Sequence, residues 1–210
     1  MKHVGTAHLQ LAERSTGRFL LSKGISNLEI DLSALAKGYA IDQLAEYLSE
    51  RGFDNYLIDL GGELRARGTS ANGEAWQVGL EQPDIRSIGE IRSAIALKDS
   101  AIATSGGYRN FMRDTKGDGR SHSHIIDPRT GRPVAHNLVS VSVIDSTAMR
   151  ADAWATALIV LEPDEGYELA MKRRMAATFV VKTADRLTER ATEAFEKCGS
   201  HSRTLESRAK

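Results

Sequence analysis

With one cysteine in 210 residues, Cys198, the chain can form neither an intramolecular disulfide nor a cysteine-built zinc site, because both need partners. An excess of charge is also missing, since Lys+Arg 28 balance Asp+Glu 28. A chain with no net charge has no general electrostatic hold on nucleic acid or an anionic membrane. An anionic ligand would have to be held by local groups or a bound cation. No apolar run approaches the ~20 residues of a transmembrane helix. The opening stretch MKHVGTAHLQLAERSTG has no apolar signal core and no lipid-attachment cysteine, so neither a signal peptide nor an anchor is expected. No GxGxxG or P-loop pattern occurs, which removes the usual nucleotide motifs.

What is present is ordinary in bulk. Hydrophobic residues make up 41% and charged ones 27%, and the length suffices for a real core. Residues 8–30 alternate loosely and predict two strands, with turns at Thr16-Gly17 and Lys23-Gly24. DLSALAKGYAIDQLAEYLSERG then changes period. Ile41, Leu44, Ala45 and Leu48 fall on one helical face, Gly52 is a stop, and Asp31 or Ser33 could cap the start. NYLIDLGGELRARG predicts a strand, a Gly-Gly bend and a strand, and WQVGLEQP and SAIALKDSAIATSG add further strands. A turn in DPRTGRP precedes the strand NLVSVSVI. TAMRADAWATALIVL and EGYELAMKRR predict helices and AATFVVK a strand. The expected fold is α+β, with mixed or antiparallel sheets and packed helices. The domain is expected over 1–187, with a poorly ordered polar tail over 188–210.

Several residues could carry chemistry. Asp152 and Thr156 lie four apart on an expected helix and share a face. They are hard oxygen donors suited to Mg²⁺, which completes its shell with water, carbonyls or phosphates. A carboxylate favouring the helix dipole and a threonine bonding its i−4 carbonyl would explain the same pair. Asp31 and Lys37 flank a strand-to-helix junction, where an acid can accept from a ligand and a lysine can reach phosphate. A cap and a solvated lysine explain them equally. Gly38, costly early in a helix, hints at close backbone approach. Ser105 in TSGG lacks the G-x-S-x-G frame of a nucleophile. His122 and His124 are i, i+2 in SHSHIIDPRTGRPV and would share one face of a strand. A zinc site needs a third ligand that is not nearby, so a single histidine acting as general base fits better.

Taken in order, DLSALAKGYAID, YLIDLGGELRARG, IATSGGYRN, SHIIDPRTGRPV and ADAWATAL resemble the signature blocks of the ApbE family, the FAD:protein FMN transferases. The resemblance runs from about His8 to about Val181. It implies an ApbE-like α+β fold that binds FAD with Mg²⁺. The implied activity transfers FMN from FAD to a Ser or Thr hydroxyl of an acceptor flavoprotein and releases AMP. Some members hydrolyse FAD to FMN and AMP, and a flavin-binding module without turnover is the rival from another class. By position, the resemblance puts Asp31, Lys37 and Ile126 against FAD. It makes Ala34 (through its carbonyl), Asp152 and Thr156 the metal ligands, and His124 the general base. An acid found one residue before the threonine in some members is Ala155 here. His122 acquires no role. The family is typically bacterial and periplasmic, and its members usually carry a longer N-terminal segment than this chain.

Overall fold

The structure is a computed structural model, and it describes residues 4–14, 17–84, 87, 89–107, 111–113, 121–184 and 186–198. A six-stranded antiparallel sheet organises it. Its strands are β3 (Tyr56–Leu60), β4 (Glu63–Arg67), β7 (Ser100–Gly106), β12 (Leu138–Asp145), β13 (Ala176–Thr183) and β14 (Arg186–Ala191), in the order β14-β13-β12-β7-β4-β3. The outer hairpins are tight. Gly61 and Gly62 both take positive φ (66° and 98°) between β3 and β4, the two-residue hairpin geometry that glycine accepts without strain.

Strand alternation gives each face of the sheet its own cover. On one face Ala103, Val141, Val143, Ala177 and Phe179 pack against α2 (Ala148–Val160) and α3 (Pro163–Lys172). On that face too, Ile58 and Ala101 meet Ile41 and Ala45 of α1 (Ala36–Glu50). On the other face Ala66, Ile102 and Ile144 meet the hairpin of β5 (Trp76–Glu81) and β6 (Ile91–Leu97), together with Phe195 of α4 (Glu193–Cys198). Each fully buried Ile or Phe contributes roughly 1.5–3 kcal/mol by leaving water. The α+β class expected from the sequence is the class observed. Besides β5–β6, three further two-stranded pieces lie outside the main sheet: β1 (Leu9–Glu13) with β2 (Phe19–Lys23), β8 (Phe111–Arg113) with β9 (Ser121–Ser123), and β10 (Ile126–Asp127) with β11 (Arg132–Pro133).

The structure departs from the sequence reading in several places. The fold does not stop at residue 187, because β14 and α4 continue to Cys198. RLTERA reads as polar tail because it forms an edge strand with its side chains mostly exposed, and the segment after it is pinned as well. Buried Thr192 does this by donating to Met175 O at 2.8 Å and accepting from Ala177 N at 3.1 Å, while Phe195 enters the core. Residues 199–210 of the expected tail, and Thr16 of the first turn, lie outside the described residues. Neither Asp31 nor Ser33 caps α1. Its N-cap is Leu35, with no side-chain bond. Leu44 is 46% exposed, although it falls on the helical face with Ile41 and Ala45. No helix of the described residues is long and apolar enough to cross a membrane.

Candidate active site

A cavity of about 870 Å³, lined by polar and apolar residues alike, opens near one end of β4, β7 and β12. Both faces of the sheet contribute to it. Glu63 and Ser105 come from the helix side, and Ile102, Thr104, Ser140 and Ser142 from the hairpin side. Asp31, Ala34, Lys37, His124, Ile126, Asp152 and Thr156, the seven residues singled out in the sequence, all line this one cavity.

The junction before α1 is built by sequence-local bonds. Asp31 Oδ1 accepts from Ser33 N at 2.7 Å and from Ser33 Oγ at 2.5 Å, a side-chain-closed turn that holds the Asp31 carboxyl below its usual range. The first turn of α1 is unusual. Gly38 N–H, whose helical partner would be the Ala34 carbonyl, donates instead to Asp152 Oδ2 at 3.1 Å. The helical ladder begins one residue later, with Tyr39 N to Leu35 O. Diversion of this one amide leaves the Ala34 carbonyl out of the ladder, and Ala34 and Asp152 line the same cavity.

Gly38 itself is required by that arrangement. A Cβ there would sit 2.3 Å from the Ala148 carbonyl oxygen, so the close approach suggested by the sequence is to the backbone of α2. Asp42, one turn further on, accepts from Ala148 N and Met149 N, each at 2.9 Å, and ion-pairs with Arg65. The start of α2 is therefore capped from α1 as well as by its own Thr147. Asp42 was not legible as a site-builder, because the α2 amides it caps lie more than a hundred residues away.

Asp152 lies in the second turn of α2, past the point where a carboxylate complements the helix dipole, and is 4% exposed. Burial pushes its carboxyl pKa up, against the Gly38 amide and the Lys37 charge. Thr156, one turn on, shares a hydrogen bond of 3.0 Å with Ser105 Oγ. Ala155 is fully buried in the apolar cluster under α2. Lys37 Nζ donates to Glu63 Oε1 at 2.6 Å.

His124 is exposed, and it sits in the bend after β9. The strand ends at Ser123, so strand alternation does not relate His124 to His122, whose side chain lies outside the described part. Ile126, in β10, is half exposed at the same cavity. Glu63, Arg92 and the hydroxyl row were missed by sequence reasoning. Thr104 and Ser142 share a 2.8 Å bond across β7 and β12, with Ser140 on the same face. Arg92 ion-pairs with Glu189, although neither its Nε nor its Nη1 makes a directed hydrogen bond. The alternation in ELRAR was the available signal. It puts Glu63, Arg65 and Arg67 on one face, which turns out to meet α1 instead of solvent.

Fold and site together define an α+β protein whose large cavity carries hard oxygen donors, a lysine and a histidine. The chain belongs to the ApbE family, whose profile matches residues 1–179. It is 42% identical over 178 residues to the FAD:protein FMN transferase of Vibrio cholerae, covering 84% of this chain and 52% of that protein. Against the FAD:protein FMN transferase of Escherichia coli it is 38% identical, covering 87% and 50%. The structure of the flavin transferase ApbE from Vibrio cholerae superposes with a TM-score of 0.80 at 38% identity, over 94% of this chain and 60% of that one. The apo form of the Pseudomonas stutzeri flavinyl transferase ApbE gives 0.79 at 34% identity, over 94% and 58%. The chain thus spans about half the length of the curated relatives it matches.

Proposed function

We propose that this chain carries the donor and metal sites of an FAD:protein FMN transferase, moving FMN from FAD to a Ser or Thr hydroxyl of an acceptor flavoprotein and releasing AMP. The observation that carries the reading is the convergence of the seven named residues on one cavity, from three separate stretches of chain. That cavity is also large enough for a dinucleotide.

The residues fit Mg²⁺. Asp152 Oδ2 is taken by Gly38 N–H, while Oδ1 makes no hydrogen bond among the described residues. The Ala34 carbonyl is left out of the helical ladder, and Thr156 adds a hydroxyl. This is an all-oxygen set, the kind a hard dication selects. Among the described residues no three His, Cys, Asp or Glu side chains gather to hold a metal. Such a sparse set leaves room for phosphate oxygens and water. When bound there, Mg²⁺ supplies charge neutralisation on the phosphate oxygens.

The chain's own residues do the rest. Lys37 holds the pyrophosphate, while Asp31 accepts from a donor group of the dinucleotide. His124, exposed at the cavity, takes the proton of the acceptor hydroxyl. The hydroxyl oxygen bonds to the FMN-side phosphorus, and the bond from that phosphorus to the AMP oxygen breaks. Incubation with FAD, Mg²⁺ and an acceptor flavoprotein should attach fluorescent flavin covalently to the acceptor and release AMP. Absence of both products would refute the enzyme reading. The exposure of His124 favours a second reading, in which water takes the acceptor's place. AMP and free FMN formed without any acceptor would support it.

A further inference from the structure

Glu63 opens β4 directly after the Gly61-Gly62 turn and is 3% exposed. One carboxylate oxygen accepts from Lys37. The other, Oε2, is sealed from solvent and makes no hydrogen bond. Burial pushes its carboxyl pKa up, and nearby Asp152 adds to the shift. As a stabilising device this is poor, because an apolar side chain of similar size would pack at the same place without an unpaired charge. The other polar residues on this face of β4 bond away from this cavity, Arg65 to Asp42 and Arg67 to Ser49 and the exposed Asp54. Glu63 differs from them in that its partner lies on the cavity wall.

We propose that Glu63 is a positioning residue, which fixes the Lys37 ammonium at the cavity wall so that its remaining donors meet the phosphate oxygens of the dinucleotide. The proposal rests on the reading of this cavity as an FAD site. The Lys37 side chain is 50% exposed on a flexible four-carbon stem, and without an anchor its ammonium would spread over many rotamers in water. One of its three N–H donors goes to Glu63 and two remain. A lysine held this way has already lost its conformational freedom before the ligand arrives, which is how preorganisation raises affinity. Although Glu63 lines the cavity, its side chain is almost wholly buried, with Oε1 taken by Lys37 and Oε2 sealed, so it acts through Lys37 and not on the ligand.

The test is a double-mutant cycle on the full chain. FAD dissociation constants are measured by calorimetry in Mg²⁺ for wild type, E63L, E63Q, K37M and E63L/K37M, with a thermal melt of each. Weakening by about tenfold is expected for E63L, the scale of one charge-assisted bond. K37M should lose at least as much, and E63L/K37M should lose no more than K37M alone. E63Q keeps the acceptor atom without the charge and should fall between wild type and E63L. Wild-type affinity in both E63L and E63Q overturns the proposal, as does an E63L effect that persists in full when Lys37 is absent. If E63L does not fold, wild-type affinity in E63Q alone overturns it. Failure of the wild type to bind FAD sinks the reading of the cavity itself, and it is seen before any variant is compared.

Discussion

Asp152 accepts from the Gly38 amide and, in the proposed function, also ligates the metal, and two substitutions separate these roles. Asp152→Asn keeps an oxygen for the Gly38 amide and removes the charge. It should fold as wild type does and lose Mg²⁺-dependent turnover. Asp152→Ala also strands a buried N–H and should cost a further ~1–3 kcal/mol of stability in a denaturant titration. Equal stability of the two variants would show that the Gly38 bond contributes nothing. His124→Ala should slow transfer by roughly 10²- to 10⁴-fold, the usual range for a lost general base, with FAD still bound. Loss of FAD binding instead would remove His124 from the chemistry. Glu63 gives the opposite sign from a paired surface acid. Its carboxyl pKa is raised above 4.5 in the folded chain, so the native state keeps the proton longer than the unfolded state does. Its contribution to stability is therefore best at low pH and falls as pH rises through and above that value. E63Q should melt close to wild type near pH 4.5 and increasingly above it toward neutrality. A gap that narrows with pH would contradict the sign.

Most of the elements were legible because their periods are clean, and β14 was missed because its exposed edge strand reads as polar tail. The Gly-Gly hairpin, the β12 strand and the α2 helix follow from local pattern alone. The start of α1 does not, because the Gly38 amide of its first turn is bonded across the molecule and not to its own chain segment. Seven residues that line the cavity were singled out through ordered motif blocks, whereas Glu63, Asp42 and Arg92 were not, since each acts through a partner far away in sequence. The contact between α1 and α2 is where such distant residues meet. Gly38→Ala places a methyl 2.3 Å from the Ala148 carbonyl oxygen, against two helix backbones that cannot yield as a side chain would. The helix propensity gained, about 1 kcal/mol, is outweighed by overpacking of about 1–3 kcal/mol or more. A lower melting temperature is expected, together with weaker Mg²⁺ binding, because Asp152 and the Ala34 carbonyl depend on the same approach. A more stable Gly38→Ala variant would mean that the helices can part without cost.

Across the whole molecule, stability should fall from the sheet centre outward. β7 and β12 are the middle strands, paired on both sides and covered on both faces, by α2 on one and by the β5–β6 hairpin with α4 on the other. The β1–β2 hairpin is the contrary case. Its strands pair with each other alone, and Leu11, Phe19, Leu20 and Leu21 are each 45% or more exposed. Two isolated strands are marginal in water, because a hairpin closes few contacts against the entropy of ordering its residues. β10–β11 is shorter still, although Asp127 bonds Arg129 and the turn amides. Amide exchange opens through such local steps, at free energies set by how much packing each unit must give up. Hydrogen–deuterium exchange followed by mass spectrometry should therefore give the slowest amides in β7, β12 and α2, and the fastest among these elements in β1–β2. The amides of Ala148 and Met149 should join the slow group despite lying in the first turn of α2, because Asp42 binds both from a helix packed into the core. Fast exchange there would show that the α1–α2 contact, on which the proposed metal site rests, opens independently of the core. Protection of β1–β2 equal to that of β12 would show that this gradient is absent.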